Sequence, residues 1–178
     1  MQLIDEPIQG VKILKPFVFE DVRGNFVKPF HEGLLAEHGI AMTVREEFFS
    51  TSSKNVLRGM HFQIPPHAHQ KLIYCISGRV LDVLLDLRRS SPTFGHSVGI
   101  ELSAANHHVL HLPVGIAHGF LSLQDQSCLV YKTDAVHAPQ HDQGIRWDSF
   151  GFDWPADAPL ISGRDLTHPL FPEFSSPF

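Results

Sequence analysis

The fold class is decided by residues 72–87, which have the sequence LIYCISGRVLDVLLDL. Two apolar runs flank Ser77-Gly78, a dipeptide that often forms a turn. Short runs of Leu, Ile and Val bounded by turn residues are typical of β-strands. This stretch therefore predicts two consecutive strands joined by a turn.

The same pattern of short apolar or alternating runs extends over most of the chain. Gly, Pro, Asn or Asp residues separate further runs at residues 11–14, 96–102, 108–112, 119–123 and 127–133. Strands of this length at short spacing predict an all-β sandwich or barrel. The helical signal is limited to residues 31–38, and the composition from Pro155 onward predicts loop with one helical turn. Since no repeat or linker interrupts the pattern, we expect one domain over residues 1–178.

Composition and charge exclude several classes of protein. Apolar residues make up 43% of the 178 residues, which is a globular rather than a disordered composition. The formal net charge of −5 argues against broad nucleic-acid binding. No apolar run approaches the roughly 20 residues that span a membrane, so no membrane partner is expected.

The N-terminus and the cysteines favour a cytoplasmic protein. Asp5 and Glu6 stand where a signal peptide would carry bases, so no export signal is expected. Cys75 and Cys128 lie in apolar runs without metal-ligand spacing, which favours two buried free thiols over a disulfide.

A histidine close to two cations is the first sign of chemistry. Residues 56–63 have the sequence VLRGMHFQ, and Lys71 follows shortly after Pro65-Pro66. The imidazole of His61 can accept a proton near neutral pH. Arg58 and Lys71 can hold an anion such as a pyrophosphate. The combination predicts proton abstraction from a phosphorylated ligand.

A second motif gives the fold class more narrowly. Residues 113–118, PVGIAH, resemble the P-x-G-x-x-H element of the cupin superfamily. Proline and glycine would make the turn into a strand, and His118 would then point into the barrel. The resemblance implies a cupin-type double-stranded β-helix, or jelly roll, with few short helices. Taken alone, the motif also fits a plain turn followed by a core histidine.

A resemblance to one enzyme family extends over nearly the whole chain. It is carried, in order, by FEDVRGNF at 19–26, NVLRGMHFQ at 55–63, DLRRSSPTFG at 86–95, residues 112–120, Tyr131-Lys132, GIRWD at 144–148 and SGRD at 162–165. In these segments the chain resembles the dTDP-4-dehydrorhamnose 3,5-epimerases, which are nucleotide-4-keto-sugar epimerases. The family's reaction removes a proton next to a sugar carbonyl and returns one to the opposite face, through an enolate.

The resemblance implies a catalytic set. His61 matches the family's base, Asp165 the carboxylate that orients this base, and Tyr131 the acid. Lys71 and His118 match residues near the carbonyl, where they would stabilise the enolate oxygen. From the local sequence alone, His61 is better explained as a barrel-lining histidine and Asp165 as a solvated loop aspartate, and Tyr131 equally fits a core-edge aromatic residue.

The resemblance also implies how the substrate is held. Arg23 and Arg58 match contacts to the nucleotide diphosphate, and Asp142 and Arg164 match further substrate contacts. The expected partner is a nucleotide-diphosphate 4-keto sugar, and neither a cofactor nor a metal is needed. The family implies a homodimer in which N-terminal strands cross to the partner.

Three departures from the family pattern lie in the parts that hold the nucleotide. Lys28 stands where the family usually has glutamate, and residues 46–48, EEF, replace a Gln-Asp-Asn run. Val136 and His137 stand where the family usually has two tyrosines. We expect Lys28, Glu46 and His137 to contact a different nucleotide or sugar. The sequence leaves open which one, and whether C3, C5 or both are inverted.

Two other functions compete with epimerisation. A metal-dependent cupin would use His67, His69 and His118, since alternate residues of a strand share a face. Against it, residues 70–75 contain no acidic ligand, and Pro65-Pro66 makes a loop plausible here. A non-catalytic sugar-nucleotide-binding cupin would keep the pocket, but binding alone does not require an acid–base pair.

Overall fold

The computed structural model describes residues 1–178 as thirteen strands, two short α-helices and one 3₁₀ helix. The strands are β1 (Gln2–Asp5), β2 (Lys12–Lys15), β3 (Phe17–Asp21), β4 (Gly24–Lys28), β5 (Glu46–Ser52), β6 (Leu57–Gln63), β7 (Lys71–Ser77), β8 (Arg79–Asp86), β9 (Ser97–Ser103), β10 (Val109–Leu112), β11 (Ile116–Ser122), β12 (Ser127–Thr133) and β13 (Asp142–Gly144). The helices are α1 (Glu32–Ala36), α2 (Gly163–Leu166) and the 3₁₀ helix (Phe171–Glu173).

The strands form two large sheets and one separate hairpin. The six-stranded sheet has the order β1-β2-β10-β7-β12-β5, and the five-stranded sheet has the order β13-β6-β11-β8-β9. Neighbouring strands within each sheet pair antiparallel. β3 pairs only with β4. The predicted all-β, cupin-type jelly roll is confirmed.

The apolar residues that alternate along both sides of β8 are explained by burial on both faces of the five-stranded sheet. Val80 and Leu84 belong to the core between the two sheets. Val83 and Leu85 pack on the outer face with Trp154 and with the aromatic residues of the C-terminal segment. Since successive side chains of a strand point to opposite faces, burial on both faces favours apolar residues at both sets of positions.

The helices are as short as the sequence suggests. α1 lies inside the predicted range 31–38 and is capped by the His31 ring, which accepts a hydrogen bond from the Leu34 N–H. α2 is the helical turn expected after Pro155, and the Ser162 hydroxyl accepts from the Asp165 N–H at its start. This cap fixes Asp165 in the first turn of α2.

The structure also adds elements that the sequence analysis did not name. The β3–β4 hairpin, β1, β5 and β13 were not predicted as strands, and β11 begins at Ile116 rather than at Gly119. Cys75 and Cys128 are free, as predicted, although Cys128 is only half-buried. No helix has the length and apolar character needed to cross a membrane.

Candidate active site

A cavity of about 300 Å³ opens between the two large sheets. β5, β7 and β12 contribute residues from one sheet, β6, β11 and β13 contribute residues from the other, and loops add His69, Ala135 and His137. Many of the residues singled out by the sequence line it: Glu46, Arg58, His61, Lys71, His118, Tyr131, His137 and Asp142. Residues from distant parts of the chain therefore meet in one pocket.

His61 and Asp165 form a hydrogen-bonded pair at this pocket. His61 Nε2 lies 2.8 Å from Asp165 Oδ1, although the two residues are far apart in sequence. Because an ionised carboxylate can only accept, Nε2 donates the proton and Nδ1 keeps its lone pair. Burial lowers the pKa of His61, and the hydrogen bond to Asp165 opposes this effect. The ring is thus a neutral imidazole with one basic nitrogen.

Asp165 is buried and held from several sides. Its Oδ2 accepts a hydrogen bond from the Gly59 N–H at 3.1 Å. Burial alone would raise the pKa of Asp165, but the His168 and His61 rings and the Gly59 N–H together hold it well below its usual range. Gly59 has φ of +131°, and a Cβ here would collide with the backbone of Gly119. A glycine is therefore required where β6 passes β11.

Tyr131 is protonated and held in position. Burial raises its pKa above the ordinary value, so the phenol keeps its proton at neutral pH. Phe48 stacks on its ring, with centroids 4.8 Å apart and planes inclined by 12°. The Ser50 hydroxyl lies 3.5 Å from the Tyr131 hydroxyl, at the limit of a hydrogen bond. The phenol is therefore a weakly engaged proton donor at the pocket wall.

Lys71 supplies positive charge to the same pocket. Its Nζ donates to the backbone carbonyl of His61 at 3.1 Å. Burial lowers the pKa of Lys71 to about 8, while Asp142 and Asp82 oppose the shift. At neutral pH the ammonium group is therefore charged and available to an oxygen that gains negative charge.

His118 belongs to a second imidazole–carboxylate pair. Its Nε2 lies 2.7 Å from Asp82 Oδ2, and both residues are buried. Burial raises the pKa of Asp82, and His118 counteracts the rise. The His118 ring also meets the Tyr131 ring edge-on, with centroids 5.8 Å apart. This pair fixes the ring of His118 between the two sheets.

Two of the residues that depart from the family pattern, Glu46 and His137, are among the polar residues that line the pocket. The Glu46 carboxylate accepts a hydrogen bond from the His137 N–H. Asp142 lines the pocket and pairs at 2.7 Å with Arg164, which does not line it. Arg58 Nε donates to the Ser52 hydroxyl at 3.1 Å. The pocket is therefore lined by one hydrogen-bonded guanidinium, that of Arg58, and by the carboxylates of Glu46 and Asp142.

A family model described as dTDP-4-dehydrorhamnose 3,5-epimerase matches residues 5–173. The chain belongs to this family. An epimerase of that name from Shigella flexneri is 41% identical over 174 residues, which are 96% of each chain.

Two solved structures of the epimerase family are similar in fold. The dTDP-4-dehydrorhamnose 3,5-epimerase of Bacillus anthracis, with TDP and PPi bound, superposes with a TM-score of 0.93 and 35% identity, covering 95% of this chain and 98% of that one. The dTDP-6-deoxy-D-glucose-3,5-epimerase of Legionella pneumophila, in complex with dTDP-4-keto-L-rhamnose, has a TM-score of 0.93 and 32% identity, covering 98% and 94%. The predicted family and its enzyme class, an isomerase, are confirmed.

Three expected substrate contacts of the epimerase, Arg23, Lys28 and Arg164, do not line the pocket of their own chain. Arg23 and Lys28 belong to the exposed β3–β4 hairpin, and neither lines the cavity. The Arg23 guanidinium bonds to the Asp21 carboxylate at 2.6 Å, with 82% of its side chain exposed. Within one chain, these two residues are not brought to His61.

The rival metal site of an epimerase-like cupin is not favoured. The loop after Pro65-Pro66 carries the H-x-H pair, and His69 Nδ1 lies 2.7 Å from Gln63 Nε2. The His67 ring packs against the ring of His141 instead. His67, His69 and His118 do not come within ligand distance of one another as a set.

The sequence analysis of this epimerase missed three residues near its pocket. Asp82 interrupts the apolar run of β8, and this acid in a buried strand was an available signal. No local sequence signal marked Ser50 or His168, because β5 was not predicted as a strand and His168 lies in a loop. Both become neighbours of the site only through the fold.

Proposed function

We propose that this protein inverts C3, C5 or both carbons of a nucleotide-linked 4-keto-6-deoxy sugar. The observation that carries the proposal is a basic imidazole and a protonated phenol, His61 and Tyr131, lining one cavity of about 300 Å³. Such a cavity is at the lower end of the size of small-molecule sites. A carbon acid bound between the two groups would meet a base and an acid.

In the proposed reaction, His61 Nδ1 takes the proton from the carbon next to the ketone. The electron pair of the C–H bond moves to the carbonyl oxygen, which becomes an enolate. The Lys71 ammonium group stabilises this oxygen, and His118 lines the same pocket. Tyr131 then donates its proton to the opposite face of the carbon, and solvent restores the proton of Tyr131 and removes the one on His61.

The proposed role of Asp165 is to orient the base. Its hydrogen bond keeps the proton of His61 on Nε2, and its charge stabilises the imidazolium that forms, as the carboxylate of a catalytic triad does. The low pKa of Asp165 supports this role, because the group remains an acceptor throughout.

The proposed contacts to the base of the nucleotide differ from those usual in the family. Glu46 and His137 line the rim where the family usually has an amide and a tyrosine, so contacts to the base differ in hydrogen bonding and stacking. Arg58 would contact the diphosphate. We expect thymidine, cytidine, guanosine and uridine diphosphates to compete unequally, with thymidine diphosphate not preferred. Preferential binding of thymidine diphosphate would instead show that the protein uses the same nucleotide as the family.

We further propose that two copies form a cytoplasmic homodimer through the β3–β4 hairpin. This hairpin pairs with neither large sheet and exposes Phe17, Phe19 and Phe26, each at 50% or more. Exposed apolar clusters mark interaction surfaces, and an isolated hairpin is marginally stable in water. Docked on a partner, the hairpin would carry Arg23, and Lys28 at its end, to the partner's pocket.

Subunit mixing tests this arrangement. Arg23→Ala and His61→Ala homodimers should each be weakly active, because every site lacks one of the two groups. In a random mixture half of the dimers are mixed, and each has one complete site, so about a quarter of wild-type activity should return. If no activity returns although the subunits exchange, Arg23 does not act across the interface.

Proton exchange tests the proposed reaction. The unaltered protein should incorporate deuterium at C3 or C5 of a 4-keto-6-deoxy nucleotide sugar in heavy water, as observed by NMR. The His61→Ala variant should lose this exchange while nucleotide binding changes by a few-fold at most. Full exchange activity in the variant would refute the assignment of the base.

A further inference from the structure

His168 lies next to the proposed catalytic pair but has no part in the reaction described above. Its side chain is only 10% exposed, and its ring meets the His61 ring edge-on at 5.7 Å. Its Nε2 lies 3.6 Å from Asp165 Oδ1, which is too long for a hydrogen bond. This nitrogen is buried without a hydrogen-bond partner, and such atoms are uncommon in folded proteins.

The three side chains have the spacing of a metal site. The ligand atoms of His61, Asp165 and His168 all lie within 4.8 Å of one another. Ligands bound tetrahedrally to Zn²⁺ at about 2.0–2.2 Å are separated by roughly 3.4 Å. The distances from Asp165 Oδ1 to the two Nε2 atoms, 2.8 Å and 3.6 Å, lie on either side of this value. The two imidazole ligand atoms lie within 4.8 Å of each other, so binding of the ion would bring the rings together by up to about 1.4 Å.

The surroundings also suit a divalent cation. Two imidazoles and one carboxylate are a usual donor set for Zn²⁺. The Gly59 N–H holds Oδ2 of Asp165 and so leaves Oδ1 directed at the two rings. A second cavity, of about 470 Å³, is lined by residues that include His61, Arg164 and Asp165, and it gives an ion access. The nearby charge of Arg164 is paired with Asp142.

We propose that His61, Asp165 and His168 form an inhibitory site for a zinc-class divalent cation. This inference rests on the proposed role of His61 as the base. The ion would bind the lone pair of Nε2, and the proton of the neutral imidazole would move to Nδ1. His61 would then have no free lone pair for the substrate, so proton abstraction stops without any net release of protons.

The proposed cation site differs in position and in effect from the metal site that a metal-dependent cupin would form with His67, His69 and His118. It uses none of the H-x-H residues, and the ion blocks the reaction instead of promoting it. His168 is the residue that makes the difference, because His61 and Asp165 alone form only a hydrogen-bonded pair.

Zinc titration of protein purified without an affinity tag tests the proposal. After chelator treatment, calorimetry should show Zn²⁺ binding, and deuterium exchange should fall as the ion binds and recover on adding chelator. In His168→Gln, the apparent dissociation constant from calorimetry and the zinc concentration for half inhibition should both rise at least tenfold. Each variant's exchange rate is normalised to its own rate in chelator.

A matched control variant tests whether zinc inhibits through this site or through another pair of histidines. His67→Gln removes one ring of the half-buried pair His67 and His141, whose centroids lie 4.4 Å apart. It should leave inhibition unchanged. Gly144→Ala provides a second variant, because a Cβ there would collide with His168 Nε2 and displace the ring while all three ligands remain in the chain. It should weaken zinc inhibition as His168→Gln does.

Two results would overturn the proposal. One is equal zinc inhibition of His168→Gln and the unaltered protein; the other is inhibition abolished by His67→Gln alone. The binding measurement does not depend on activity. If the chelated protein fails to exchange deuterium, the proposed function fails, while calorimetry of the same variants still decides whether the zinc site exists.

Discussion

Replacing Tyr131 by phenylalanine should separate the two halves of the proposed reaction. The variant loses only a hydroxyl, whose hydrogen-bond partner is the Ser50 hydroxyl at 3.5 Å. A typical internal hydrogen bond contributes about 0.5–1.5 kcal/mol, and this one is at the outer limit of length. The free energy of unfolding should therefore fall by less than about 1 kcal/mol, which corresponds to a Tm shift below about 4 °C.

The catalytic effect should be much larger than the effect on stability. A positioned general acid contributes about 10²–10⁴-fold to a rate. Since His61 remains, proton removal should continue, and solvent deuterium should still enter the substrate. NMR in heavy water measures both events, and the ratio of inverted product to exchanged substrate should fall by about 10²-fold or more.

The other tyrosine provides a matched control. Tyr74 is half-buried and does not line the pocket, so Tyr74→Phe should leave the ratio of inversion to exchange unchanged. Equal losses of inversion and exchange in Tyr131→Phe would show that the phenol is not a separate acid. An unchanged ratio with full activity would show that it has no role in proton return.

Three further predictions concern the partner of the base, the cation and the core. Asp165→Asn should slow inversion and exchange together by about 10–100-fold, because a hydrogen bond to a charged group contributes about 1.5–3 kcal/mol. Nucleotide affinity measured by calorimetry should stay within a few-fold of the unaltered protein. An unchanged rate would contradict the role of Asp165. The rate of epimerisation should decline as pH rises through about 8, where Lys71 loses its proton. An arginine stays charged at this pH, so Lys71→Arg should move the decline to higher pH. A decline at the same pH in this variant would show that another group causes it. Leu84→Ala, at a fully buried core position, should lower the unfolding free energy by about 2–5 kcal/mol in urea denaturation, and a loss below about 1 kcal/mol would contradict the described packing.

Local patterns predicted the strands that bury one or both faces. β7, β8 and β12 carry apolar runs, and these strands lie inside the two sheets. β3, β4 and β5 were not predicted, because most of their side chains are exposed and no burial constrains their pattern. The residues of such strands are set by contacts outside the local chain, which a single sequence does not display.

Apart from the grouping of His61 with Arg58 and Lys71, the site could be predicted only through the family resemblance. Nothing local distinguishes Asp165 from a solvated aspartate, since its environment is made by β6 and by the Gly59 N–H. His168 was missed for the same reason, because its proximity to Asp165 depends on how the C-terminal segment packs. Arg23 shows the reverse case, a residue matched to the family whose position within one chain does not reach the pocket.

The most direct test is a crystal structure with an intact 4-keto nucleotide sugar bound. We predict that the sugar ring lies in the cavity, with His61 Nδ1 facing one side of the reacting carbon and the Tyr131 hydroxyl facing the other. A ring bound with both groups on the same side, or bound outside the cavity, would contradict it.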